Sequence, residues 1–212
     1  MEVVVQFSGP RQVEVVAREP EPLPPGHVRV RTRYSGISAG TELTAYRGTN
    51  PYLTRVWDPV ARLFHDGAAG IAYPVAGWGY SEVGTVVELA PDLELAPGTP
   101  AVGDLVWGIW GHRSEAVLPV ARLAGHTLPA GFDPLAALFA RVGAIALNAV
   151  LAADVHLGEL VAVFGQGVLG LLVTQLAVRN GATVVAVDGL EPRRAAALRH
   201  GHGHQHQLAL TH

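Results

Sequence analysis

The sequence predicts an α/β protein of two domains, a β-rich front part followed by a β-α-β-α back part. Three observations predict it. As far as about residue 130, β-branched apolar runs alternate with Gly, Pro, Asp and Ser turn signals, the pattern of many short strands. At Asp133-Pro134 the texture changes to Ala- and Leu-rich segments, with Asp133 placed to cap a helix and Pro134 suited to its first turn. Beyond residue 158, two apolar strands each run into a helix. The expected domains are residues 1–135 and 136–212.

Val3–Phe7 and Val13–Ala17 bracket Ser8-Gly9-Pro10 and read as a hairpin. Residues 19–26 carry four prolines and a glycine, a stiff connector that suits neither helix nor central strand. In the next strand Val28, Val30, Thr32 and Tyr34 alternate with Arg29, Arg31 and Arg33, placing the first set inward and the arginines on a solvated face. Ser35–Ala39 is a small-residue loop, and Thr41 is placed to cap a short helix through Tyr46. Residues 50–72 lack a period and read as a long loop with modest helix. Val83–Leu89, Leu105–Trp110 and Glu115–Val120 are further strands. Leu135–Ala153 reads as one or two helices broken near Val142-Gly143. Strand Leu160–Phe164, helix Val168–Arg179, strand Thr183–Asp188 and helix Glu191–Arg199 complete the series.

Composition removes whole classes of chemistry. The 212 residues contain no cysteine and no lysine, all 15 basic residues being arginine. Disulfides, thiolate metal ligands and cysteine nucleophiles are therefore excluded, as are Schiff-base lysines, a Walker-type phosphate loop and a Tyr-x-x-x-Lys pair. A net charge of -3 with scattered arginines argues against a nucleic-acid partner. No secretory signal is visible at the start. The uncharged stretch Leu160–Val178 has nearly the length of a membrane span. It reads instead as a buried strand plus a buried helix, so no membrane partner is expected.

Gly165-Gln-Gly167-Val168-Leu-Gly170 lies between that strand and that helix. The pattern G-x-G-x-x-G is weak alone, and its context strengthens it. The strand before it is apolar throughout, the expectation for a central parallel strand buried on both faces. The helix after it is uncharged until Arg179, and Asp188 ends the next strand, close to the spacing expected of a ribose-binding acid. Gly165 permits a tight turn, Gly167 and Val168 open the helix toward a pyrophosphate, and Gly170 permits close helix–strand packing. Asp188 would accept the ribose hydroxyls of NAD and repel a 2′-phosphate, while Arg193 and Arg194 downstream soften that preference and keep NADP as the alternative cofactor.

With these motifs the chain resembles the medium-chain dehydrogenase/reductase superfamily over nearly its whole length. Tyr34-Ser-Gly-Ile-Ser-Ala-Gly-Thr-Glu42 is similar to that family's G-I-C-x-T-[DE] loop. Tyr73-Pro74 and Gly79-Tyr-Ser-Glu-Val-Gly84-Thr-Val86 are similar to its P-x-x-x-G-H-E-x-x-G-x-V segment, and Val102-Gly-Asp-Leu-Val106 to its G-D-R-V turn. Glu115–Pro119 with Leu128-Pro129 matches the approach to its second domain, and Arg193, five residues after Asp188, completes the likeness. Gly-Ile-Ser-x-Gly-Thr-Glu together with Gly-Tyr is most similar to the branch that contains bacteriochlorophyllide a dehydrogenase. The resemblance implies a GroES-like β-barrel catalytic domain, a Rossmann dinucleotide-binding domain and an active site in the cleft between them.

The departures from the family pattern bear on the chemistry. Where its zinc enzymes carry their first cysteine ligand this chain has Ser38, or Ala39 under the other placement of the extra residue. The His-Glu pair becomes Tyr80-Ser81, and the third ligand position falls on Ala140. No zinc is expected. Polarising a carbonyl without a metal falls to hydrogen-bond donors, for which Tyr80 is the leading candidate, assisted by Ser38 and Ser81, with Thr41 and Glu42 in the same loop. A tyrosine merely packed at a strand end is the competing reading. His65 and His112 stand alone in the sequence, and His112 reads as structural or exposed. His200, His202, His204, His206 and His212 form a terminal cluster read as a tail with adventitious metal affinity.

The expected activity is hydride transfer between a nicotinamide cofactor and a small alcohol/ketone substrate, in the cytoplasm, with a homo-oligomer compatible with a full-length form. An NADPH-dependent quinone or enone reductase is the alternative enzyme, and an inactive fragment the alternative outside enzymes. From Gly158 onward there is room for two strands of a Rossmann sheet, so the chain is expected to be the front part of a longer dehydrogenase.

Overall fold

A computed structural model describes residues 1–68, 70–93 and 97–200. The histidines at positions 202, 204, 206 and 212 lie outside the described residues, while His200 ends the last helix. The chain divides into two compact units, Met1–Phe139 and the segment from Ala140 onward.

The first unit is GroES-like and built on antiparallel strands. β1 (Glu2–Gly9) and β2 (Gln12–Arg18) form the expected hairpin, with Val4 opposite Val16. β3 (His27–Ser35) leads to α1 (Glu42–Arg47). Residues 50–72, expected as a loop with modest helix, hold a single 3-10 turn and a hairpin of β4 (Arg55–Asp58) and β5 (Leu63–Asp66). Trp57 of β4 and Tyr52 of the 3-10 turn both pack on Phe64 of β5, each with ring centroids 5.0 Å from it. An aromatic cluster rather than alternation specifies this hairpin, so a search for periodicity passes over it. β6 (Val75–Ala76) is a two-residue strand added to β1. β7 (Glu82–Leu89), β8 (Leu105–Gly108) and β9 (Glu115–Pro119) complete a four-stranded sheet in the order β8-β7-β3-β9.

The inward row of β3 closes the main core, in which Val28, Val30, Val86, Val106, Trp110, Ala116, Leu118 and Leu123 pack together. The outward arginines find partners on the neighbouring strands: Arg29 pairs with Glu88, Arg31 with Glu115, and Arg33 donates to Thr85. Tyr34 does not continue the inward row. The β3–β7 register shifts between Thr32 and Tyr34, and the ring is exposed. The close approach of β7 to β3 requires Gly84, where a Cβ would lie 2.5 Å from Val30 Cγ1 and 2.7 Å from the Arg31 carbonyl oxygen.

α2 (Pro134–Ala137) starts as expected, with the Asp133 carboxylate accepting from the Leu135 amide at 2.9 Å. The helical segment breaks at residues 138–139 rather than near Gly143, through which α3 (Ala140–Ala152) runs unbroken. The second unit continues with β10 (Leu160–Phe164), α4 (Val168–Arg179), β11 (Thr183–Val187) and α5 (Glu191–His200), a Rossmann-type β-α-β-α. β10 and β11 pair parallel, Leu160 with Thr183 through Phe164 with Val187. Their core is Val150, Val155, Val163, Ala177, Ala182 and Val184. β10 is not buried on both faces as expected: among the described residues it pairs with β11 alone, and Leu160 and Phe164 are exposed. The stretch 160–178 is thus a strand and a helix, and no helix among the described residues is long and apolar enough to cross a membrane.

Candidate functional sites

In the second unit the glycine turn joins β10 to α4. Gly165 holds φ +87°, a conformation open to glycine at little cost. Its amide donates to the Val187 carbonyl at 2.7 Å, fastening the turn to β11. A Cβ at Gly170 would overlap the Gly165 carbonyl oxygen, whereas nothing lies within 4 Å of one at Gly167. The two glycines therefore do different things: Gly170 lets the helix close on the turn, and Gly167 leaves open space at the helix start. There the first-turn N–H groups of α4, beginning with Val168, lack intrahelical partners and carry the positive end of the helix dipole.

Gln166, between the first two glycines, is fully buried. Its side chain donates to the Val163 carbonyl at 3.0 Å and accepts from Thr174 Oγ1 at 3.1 Å, tying the turn to β10 and α4. The motif treats this position as variable, so its spacing assigns Gln166 no role. Asp188, just past β11, folds back onto the turn: Oδ2 accepts from the Gln166 amide at 2.7 Å and Oδ1 from the Leu190 amide at 2.8 Å. The Leu190 and Gln166 N–H groups, with the Arg193 guanidinium beyond them, hold its carboxyl below the ordinary aspartate range. Arg193 Nη1 lies 3.6 Å from Asp188 Oδ2, and Arg194 donates to the Asp188 carbonyl at 2.8 Å. A carboxylate has about four lone-pair sites, so acceptor capacity for sugar hydroxyls remains. A glycine cradle at a helix start, with an acid beside it, fits a dinucleotide.

In the first unit the Ser38 loop and the Tyr80-Ser81 segment are brought together by the Gly36 amide, which donates to the Ser81 carbonyl at 2.8 Å. Tyr80 donates its hydroxyl to Ser38 Oγ at 2.7 Å. Ser81 joins the arrangement through its backbone. Thr41 does not cap α1 with its side chain, because its own backbone is already helical at φ −76° and ψ −53°. Ser38, three residues earlier, receives the Thr41 amide on Oγ at 3.3 Å, and the Ser38 amide donates to Glu42 Oε1 at 3.1 Å.

That last contact opens onto a buried network. Glu42 is 2% exposed, and its Oε2 lies 2.6 Å from His112 Nε2. On the other side of the ring, His112 Nδ1 is 2.5 Å from Ser35 Oγ. The Ser35 hydroxyl is also 3.3 Å from Oε1 of Glu82, a residue 1% exposed. Glu82 Oε2 accepts from the Trp110 amide at 2.9 Å. The Glu42 hydrogen bond, against the opposing effect of burial, raises the His112 pKa above the ordinary histidine value. Burial raises that of Glu82, against the Trp110 amide that lowers it. His112 is thus neither isolated nor exposed. Its partners lie 70 and 77 positions away in the chain, beyond reach of local spacing. Beside the Glu42–His112 pair lies an apolar cavity of about 540 Å3, with Val5, Phe7, Leu43 and Tyr46 in its walls.

The positions that correspond to zinc ligands in the resembled family hold a hydroxyl at Ser38, a phenol at Tyr80, a second hydroxyl at Ser81 and a methyl at Ala140. This donor set does not fit a zinc ion, which takes thiolate, imidazole or carboxylate ligands. Among the described residues no group of three or more His, Asp or Glu side chains is arranged to hold a metal.

No family model matches the chain. It is 30% identical over 201 residues to D-guloside 3-dehydrogenase of Shigella flexneri, covering 92% of this chain and 56% of that protein. It is 31% identical over 199 residues to 2-desacetyl-2-hydroxyethyl bacteriochlorophyllide A dehydrogenase of Rhodobacter capsulatus, covering 90% and 57%. Among solved structures, 2R,3R-butanediol dehydrogenase from Bacillus subtilis superposes with a TM-score of 0.76 at 21% identity, covering all of this chain and 63% of that one. The chain therefore spans little more than half the length of the curated relatives it matches.

Proposed function

We propose that the chain belongs to a zinc-independent, NAD-preferring oxidoreductase of the medium-chain dehydrogenase/reductase type, a reading supported by its likeness to curated dehydrogenases in sequence and to a solved dehydrogenase in fold. It would interconvert an alcohol and a ketone on a small molecule, in the cytoplasm. The observation that carries this reading is the glycine turn with Asp188 folded onto it. Gly165, Gly167 and Val168 would receive the pyrophosphate, Gly170 sets the helix against the turn, and Asp188 would accept the adenosine ribose hydroxyls. A bound nicotinamide dinucleotide would supply the redox chemistry, exchanging a hydride with the substrate carbon. On the first unit, Tyr80 is the donor for the substrate oxygen. Its hydroxyl proton, given to Ser38 Oγ in this structure, turns to a carbonyl oxygen as negative charge develops there. Ser38 and Ser81 assist from the same loop pair.

A specific observation favours a second reading. Arg193 stands beside Asp188 with its side chain half exposed, an arrangement that would welcome a 2′-phosphate and suit an NADPH-dependent quinone or enone reductase. Fluorescence titration of the 212-residue chain with NADH and NADPH separates the two. The proposal expects NADH to bind more tightly. Tighter NADPH binding favours the reductase, and binding of neither overturns the dinucleotide reading.

A further inference from the structure

The reading of Tyr80 and Ser38 as the polarising pair leaves the buried histidine unused. Resting on that reading, we propose that His112 is a positioning residue for the Ser38–Tyr80 hydroxyl pair, acting through the Glu42 carboxylate. Glu42 has two faces. One oxygen holds the Ser38 amide at 3.1 Å, and the other meets His112 Nε2 at 2.6 Å. Ser38 Oγ in turn receives the Tyr80 hydroxyl. A change at the imidazole therefore reaches the phenol through one carboxylate and one peptide.

Donor counting defines two states of this network. Ser35 has one hydroxyl proton and two acceptors competing for it, His112 Nδ1 and Glu82 Oε1. A doubly protonated imidazole donates from Nε2 to Glu42 and from Nδ1 to Ser35, which frees the Ser35 proton for Glu82. Each atom then has a partner of the opposite kind. On loss of the Nδ1 proton the Ser35 hydroxyl turns to the ring, Glu82 loses that donor, and Glu42 faces a neutral ring. The charged groups around the imidazole are Glu42 from α1, Glu82 from β7 and the adjacent Arg113, whose guanidinium is 3.5 Å from Glu2 and from Glu21. The two nearest are carboxylates, and they favour the protonated ring. With its side chain 13% exposed, His112 exchanges its proton with solvent while remaining inside the network.

The test is an NMR pH titration of the intact 212-residue chain, following the His112 ring, the Ser38 amide and the Tyr80 ring protons. All three are expected to move with one midpoint, above that of an ordinary histidine. In Glu42→Gln the His112 midpoint falls, and the Ser38 and Tyr80 signals become flat. In His112→Gln, which keeps hydrogen bonds but cannot titrate, both signals are flat as well. A flat Ser38 amide or Tyr80 ring while wild-type His112 titrates overturns the proposal, as does unchanged movement in His112→Gln. If the variants do not fold, the wild-type titration decides alone. None of these signals depends on turnover, so failure of Tyr80 as the polarising donor, read from Tyr80→Phe kinetics, is a separate result.

Discussion

Asp188 and the Gln166 amide meet at 2.7 Å across 22 positions of chain, so the charge that would read the ribose also shapes the turn that would hold the pyrophosphate. Under the proposed function, cofactor preference and turn geometry would be coupled through one carboxylate. Asp188→Asn keeps one acceptor and removes the charge. Hydrogen bonds to charged groups contribute about 1.5–3 kcal/mol, and 1.4 kcal/mol is about tenfold. NADH affinity is therefore expected to fall roughly tenfold or more, and NADPH affinity to fall less. A fluorescence titration with both dinucleotides checks the ratio.

The same carboxylate makes the second unit acid-sensitive. Its folded pKa is depressed, so its stabilising contribution is present above the unfolded aspartate value of about 3.9 and lost as pH falls through the folded pKa. The stability difference between wild type and Asp188→Asn should be full at neutral pH and close at strongly acid pH. Urea midpoints across that range would show it, and a constant difference would remove Asp188 from the account.

His112 works in the opposite direction. Its folded pKa is raised, so the contribution of the Glu42–His112 pair is fully present below about pH 6.5, the unfolded histidine value, and is lost as pH rises through the folded pKa. His112→Ala leaves Glu42 buried without its ring partner and is expected to cost the first unit about 3–5 kcal/mol in the acid-to-neutral range. Chemical denaturation of wild type and variant at pH 6 and at pH 9 measures both the size and the narrowing of the gap.

Two glycine substitutions should have opposite signs. Gly84→Ala drives a Cβ against Val30 and the Arg31 carbonyl, and since a strand carbonyl cannot yield, a cost of about 1–3 kcal/mol is expected. Gly143→Ala, inside α3 with nothing within 4 Å of the new atom, should stabilise by about 0.5–1 kcal/mol. Thermal melts of the two variants beside wild type settle both.

What local pattern encodes was legible in the sequence. The hairpin of β1 and β2, the β-α-β-α order and the Asp133 cap each depend on residues close in the chain, as does the glycine turn. Long-range pairing was not legible. The β4–β5 hairpin brings Trp57 onto Phe64 across strands, with Tyr52 of the preceding turn on the same ring, and the exposure of Tyr34 comes from a register shift against β7. At the candidate site, Ser38 and Tyr80 were readable from their motif positions, while the Glu42–His112–Ser35–Glu82 connection joins α1, β3, β7 and the segment after β8. Gln166 was hidden for another reason: a motif marks where side chains must be small, and says nothing of a variable position whose side chain is buried.

The hydrogen bond from the Trp110 amide to Glu82 has a kinetic consequence. That amide sits in a loop, where protons usually trade with deuterium within seconds to minutes of local fluctuation, yet its acceptor is a carboxylate 1% exposed and its indole is anchored to Thr32 Oγ1 at 2.9 Å. Releasing it means opening the β3–β7 core itself. A loop proton should therefore be among the slowest in the first unit to exchange, keeping time with unfolding rather than with the loop that carries it.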